Sequence, residues 1–141
     1  MARPTPPILA VDATGVGLAV VQILRRAKLP ISRLVPITIT SGHTTNQRPD
    51  GGFNVPKAEL VSSTQSPLQG KRLTIAPALK EAKTLRTELS NFKVKINLAS
   101  ATESFEAWRE GQHDDLVLAV CMAVWLGEQG GARLTADMFY L

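Results

Sequence analysis

Cysteine is nearly absent from this 141-residue chain. The single thiol, Cys121, lies inside an apolar run, which excludes an intrachain disulfide framework and a four-cysteine zinc site. A reducing compartment suits such a chain. Aromatic residues are few at 5%, and they do not alternate with basic residues as stacking platforms for single-stranded nucleic acid do. Long hydrophobic runs are missing from the amino-terminal end: Met1-Ala-Arg-Pro-Thr-Pro-Pro precedes only Ile8 to Val11 before Asp12. That is too short for a signal peptide core or a membrane helix, so no membrane association and a cytoplasmic location are expected. Acidic residues are outnumbered by basic ones, 12 against 16, for a net charge of +4. This excess permits a polyanionic partner without requiring one. Hydrophobic residues at 44% argue against disorder, and the length suits one domain, residues 1–141, with a core of its own.

Ile8-Leu9-Ala10-Val11 is continuously apolar, the pattern of a strand covered on both faces as in a parallel sheet. Asp12 ends it. A glycine turn, Ala13-Thr14-Gly15-Val16-Gly17, leads into a helix with Val16, Val20, Ile23, Leu24 and Ala27 at helical spacing until Lys28 and Pro30. Residues 34–40 are rich in β-branched side chains and read as a second strand parallel to the first, with Pro36 near its start or at an edge. Residues 41–55 carry turn formers and little periodicity, so a long loop is expected. Pro56 begins a helix ending near Pro67 or Gly70, Lys71 to Ile75 reads as a short strand, and Pro77 opens another helix. Residues 92–98 alternate apolar and polar, predicting a half-buried antiparallel strand with a hairpin partner near Phe105 to Trp108. The apolar segment from Asp114-Asp115 to Leu126 predicts a buried helix. These elements make an α/β fold.

Two features place carboxylates where a core would not hold them unaided. Asp12 closes an apolar strand just before a glycine turn, which in open parallel sheets is the crevice where ligands bind. Asp114 and Asp115 begin the most hydrophobic helix, whose amide end favours negative charge. Each also has a local structural explanation, Asp12 as an Asx-turn former and Asp114 as an N-cap. Together the three suggest a site for Mg²⁺ or Mn²⁺, which take oxygen ligands. Asp50, in Arg-Pro-Asp-Gly-Gly, is better explained by a turn. Gly15 and Gly17 lack the rest of a dinucleotide or phosphate-loop signature, so close backbone packing explains them. Lys57, Arg48 and His113 are candidates for meeting DNA phosphates, and His43 and His113 have no cysteines near enough for a zinc motif.

The ordered set Ala10-Val11-Asp12-Ala13-Thr14-Gly15-Val16-Gly17, Val55-Pro56-Lys57 with Glu59-Leu60-Val61, Arg72 to Ile75, Glu88-Leu89 with Phe92, and His113-Asp114-Asp115-Leu116-Val117-Leu118-Ala119 resembles the nuclease half of phage terminase large subunits over most of residues 8–128. The resemblance implies a ribonuclease-H-like fold whose truncated mixed sheet is flanked by helices. It implies a two-metal endonuclease that cuts double-stranded DNA during genome packaging in the host-cell cytoplasm, with portal and small terminase subunits as partners. Asp12 matches one metal-binding acid of that family, and either Asp114 or Asp115 matches another. A further acid belongs, in the family pattern, to a central strand that precedes the part seen in this sequence, and residues 1–11 contain no carboxylate. Weak metal affinity and slow or absent cleavage are therefore expected, and the alternative is a catalytically incomplete module that binds DNA or protein. The same absence predicts that residues 8–11 form an exposed edge, inviting a homo-oligomer or a sheet completed by a partner.

Overall fold

The computed structural model describes residues 5–99 and 115–129. It is an α/β structure with a mixed sheet of four strands and flanking helices. In chain order the elements are β1 (Ile8–Asp12), α1 (Gly17–Arg26), β2 (Arg33–Thr40), β3 (Asn46–Gln47), β4 (Phe53–Pro56), α2 (Lys57–Gln69), α3 (Ala82–Ala99) and α4 (Asp115–Gln129). The strands lie in the order β1-β2-β4-β3, with β1, β2 and β4 parallel and β3 antiparallel to β4.

Register decides which side chains meet. Ala10 lies beside Val35 and Asp12 beside Ile37, while across β2 Ile37 lies beside Phe53 and Ile39 beside Val55. Neighbours in register point to one face, so Ala10, Asp12, Val35, Ile37 and Val55 share a side of the sheet. On that side Val35, Ile37 and Val55 join Leu60 of α2, Leu85 of α3, and Val117, Cys121, Met122 and Trp125 of α4 in the main core. Each large apolar side chain buried there stabilises the fold by about 1.5–3 kcal/mol. The rings of Phe53 and Trp125 meet edge to face, with centroids 5.3 Å apart. The opposite face carries α1, of which Gly17 and Val21 are buried.

Pro36 sits inside β2, between two neighbours, without leaving a donor gap in the ladder. Its carbonyl points toward Gly52, on the β4 side. Pairing with β4 begins only at Ile37, so the missing N–H falls just outside that ladder.

Three expected elements are corrected. The loop predicted over residues 41–55 contains the β3–β4 hairpin, and its Phe53-Asn54-Val55 core is an interior strand of the sheet. Residues 71–75 form no strand: the N–H groups of Arg72 and Leu73 both donate to the carbonyl of Pro67, wrapping the chain around the end of α2. Residues 92–98 continue α3, which starts at Ala82, past the turns that follow Pro77. Leu85, Leu89, Phe92, Ile96 and Ala99 recur at spacings of four and three, a helical period that overrides the short alternation. The hairpin partner expected near Phe105 to Trp108 lies outside the described residues. Among the described residues, no helix is long and apolar enough to cross a membrane.

Candidate metal centre

Asp12 stands at the carboxyl end of β1, exposed, on the core-side face by register. Its Oδ1 accepts the N–H of Thr14 at 2.8 Å, the Asx turn expected of an aspartate before a glycine turn. Beyond it, the Ala13 N–H donates to the Ile37 carbonyl at 2.8 Å, and the Ile39 N–H donates to Thr14 Oγ1 at 3.0 Å. These bonds extend the β1–β2 ladder past its last strand residue and fix where the carboxylate emerges. Gly17 closes the turn by lying against the Asp12 carbonyl, where a Cβ would stand 2.3 Å from that oxygen. Gly15, at φ +59°, adopts the left-handed conformation. Close packing, expected at both glycines, holds at Gly17; at Gly15, where nothing lies within 4 Å of a Cβ, the left-handed backbone is the reason instead.

Asp115 is the first residue of α4 and is exposed. That helix packs against β1 and α2. Asp12 and Asp115 therefore belong to the same side of the sheet, one from a strand end and one from the start of the helix covering that side. Asp114 and His113 lie outside the described residues. A carboxylate that entered the sequence reading only through the family resemblance, with no metal role given to it, also serves this helix end: Glu88 of α3, half-buried, accepts the Val117 N–H at 3.2 Å. It satisfies one of the amides that the first turn of a helix leaves unpaired.

The donors match a hard divalent cation in kind, since Asp12 and Asp115 offer exposed carboxylate oxygens. In number they fall short: among the described residues no group of three or more His, Cys, Asp or Glu side chains converges to hold a metal ion.

Asp50 and Arg48 have structural roles. Asp50 bonds Arg48 through both carboxylate oxygens, Oδ1 to Nε at 3.1 Å and Oδ2 to Nη2 at 2.8 Å, and Oδ1 also accepts the Gly52 N–H. The hydrogen bond from Arg48, then that from Gly52, holds the Asp50 carboxyl below its ordinary value. Arg48 commits its remaining nitrogen, Nη1, to Thr38 Oγ1 at 2.6 Å, so its guanidinium is bound into the hairpin. Lys57 is the half-buried first residue of α2, and His43 is exposed in the loop after β2. Burial pushes the Cys121 thiol up, as suits a core residue. Glu59 bridges two elements, accepting the Thr45 hydroxyl at 2.6 Å and the Trp125 Nε1–H at 2.8 Å.

No protein-family model, curated protein or solved structure matches this chain.

Proposed function

We propose that the chain is a metal-dependent DNA endonuclease domain with a ribonuclease-H-like fold, similar to the nuclease half of phage terminase large subunits. The parallel β1–β2–β4 core with helices on both faces supports the fold. Asp12 and one of Asp114 and Asp115 are the metal-binding acids of this reading. The observation that carries it is the register that sets Asp12 on the sheet face against which α4, opened by Asp115, is packed. Mg²⁺ or Mn²⁺, when bound, supplies the Lewis acidity for phosphodiester hydrolysis. The protein's own part is to hold two carboxylates at fixed places on rigid elements and to meet DNA through phosphates, with its net charge of +4 in favour. Portal and small terminase subunits are the partners in this reading, and the host-cell cytoplasm is its place of action.

Incubation of the full chain with supercoiled plasmid and Mn²⁺ tests the reading. Nicking is expected, slow, and abolished by combining Asp12→Asn with Asp115→Asn. Cleavage that survives both changes overturns this site.

A second reading is favoured, among the described residues, by the shortfall of donors and by the position of β1 at the sheet edge. Here the chain is a catalytically incomplete module whose acid set is completed by another polypeptide. Its mark is DNA retention without nicking at any Mn²⁺ concentration.

A further inference from the structure

Among the described residues, no strand pairs with the outer edge of β1, and the flank of α1 beside it carries exposed apolar side chains. The N–H of Ala13 donates to Ile37 and the Pro7 carbonyl accepts from Ser32, so odd-numbered residues of this stretch turn their backbone groups toward β2. By alternation, Ile8 and Ala10 turn theirs away from β2, where no described strand meets them. On the helix above, Val16, Val20 and Ile23 are exposed by 87%, 46% and 66%, a large apolar fraction to leave in water. With Ala27 they form a stripe at spacings of four, three and four, the period of a helix-packing seam.

The direction of that stripe follows from two contacts. Gly17 and Val21 face the sheet. Arg25, on one flank, donates from Nη2 to the Asp50 carbonyl at 3.2 Å, in the hairpin turn beyond β2. The stripe occupies the other flank, so it overhangs the free edge of β1.

We infer that two copies of this chain join through β1 and α1 about a twofold axis perpendicular to the sheet. Antiparallel pairing centred on Ala10 sets Ala10 opposite Ala10 of the partner subunit, satisfying the outward N–H and carbonyl groups of both edges. The helices then meet without adjustment. α1 touches both β1 and β2, and an axis over the midline of those two strands puts the two α1 axes two spacings, ~9.6 Å, apart across the junction, within the 8–10 Å of packed helices. Their heights agree as well. α1 starts against Asp12 and returns antiparallel to β1 over ~15 Å, about the length of the strand, which puts the middle of the stripe level with Ala10. Val20 therefore packs on Ile23 of the partner subunit and Val16 near Ala27 of the partner subunit. One symmetric operation covers both unfinished surfaces, as an isologous contact does. Stable specific interfaces bury about 1,200 Å² or more in total, so a strand edge of five residues with one helix flank predicts a weak, concentration-dependent dimer. The pairing adds no carboxylate beside Asp12, since Ile8 of the partner subunit lies opposite it, and it does not depend on the nuclease reading.

Sedimentation equilibrium of the full chain over a range of concentrations tests the junction. A monomer–dimer equilibrium is expected, weakened at least about tenfold by Ile23→Glu, which alters a side chain already in solvent and leaves the circular dichroism unchanged. Mixing Val20→Cys with Ile23→Cys chains under mild oxidation gives cross-linked dimers, whereas Gln22→Cys on the outer side of α1 does not. A monomer at every concentration, or a dimer indifferent to Ile23→Glu, overturns the proposal. So does a monomer in which only an added apolar extended peptide protects the Ile8 and Ala10 amides from exchange, an outcome that assigns the edge to a different strand.

Discussion

Gly17→Ala places a methyl carbon 2.3 Å from the Asp12 carbonyl oxygen, and the atom it meets is backbone, which cannot rotate away. Relief requires moving either the first turn of α1 or the end of β1. Overpacking of this kind costs about 1–3 kcal/mol, against which alanine in place of glycine in a helix returns about 0.5–1 kcal/mol. The net is a loss on the order of 1–2 kcal/mol, a fall in Tm of roughly 3–7 °C for a chain of this size. Urea unfolding followed by circular dichroism measures it, and NMR adds the local readout. The amides of Ala13, Thr14 and Ile39, whose bonds hold the turn, should shift more than those of β4. Gly15→Ala is the control. Nothing lies within 4 Å of its Cβ position, so that change costs only the left-handed backbone, about 1 kcal/mol, without moving Asp12. A Gly17→Ala protein as stable as the parent, with the Thr14 amide unmoved, would refute the reasoning that this contact sets the position of Asp12.

Two further changes probe the surrounding scaffold. Trp125→Phe keeps the ring against Phe53 but removes the Nε1–H donated to Glu59, leaving a half-buried carboxylate oxygen without that donor; a loss of about 1–3 kcal/mol is expected in thermal unfolding. Arg48→Ala frees the Asp50 carboxyl to return toward its ordinary value of 3.8, visible in an NMR pH titration. Because the folded value lies below the ordinary one, the Asp50 contribution is full above about pH 3.8 and is lost as pH falls through the folded value. The substitution therefore lowers stability at neutral pH by about 1 kcal/mol or less, given the exposure of the pair, and makes acid unfolding less steep.

Strands and helices with one strong signal were legible in the sequence. The apolar run before Asp12, the β-branched residues 34–40 and the apolar segment after Asp115 became β1, β2 and α4, and the parallel β1–β2 pairing followed from the helix between them. Short or conflicting signals were not. β4 holds four residues, begins after two glycines and ends at Pro56, so turn formers masked a strand whose membership is decided by its neighbours. In residues 92–98 a period of two competed with a period of four and three inherited from Leu85 and Leu89, and the longer pattern determined the backbone. The Asx turn of Asp12 and the close approach at Gly17 were foreseeable from local chemistry. The bonds of Glu88 in α3 to the start of α4 and of Glu59 to Trp125 were not, because each partner lies dozens of residues away.

Paramagnetic broadening by Mn²⁺ in the NMR spectrum of the full chain asks most directly whether the end of β1 and the start of α4 serve one cation. Signals of Asp12 and Asp115 should broaden together at low Mn²⁺, and Asp12→Asn should reduce the broadening at Asp115. Broadening at one position that ignores substitution at the other, or none at either, contradicts a shared metal centre.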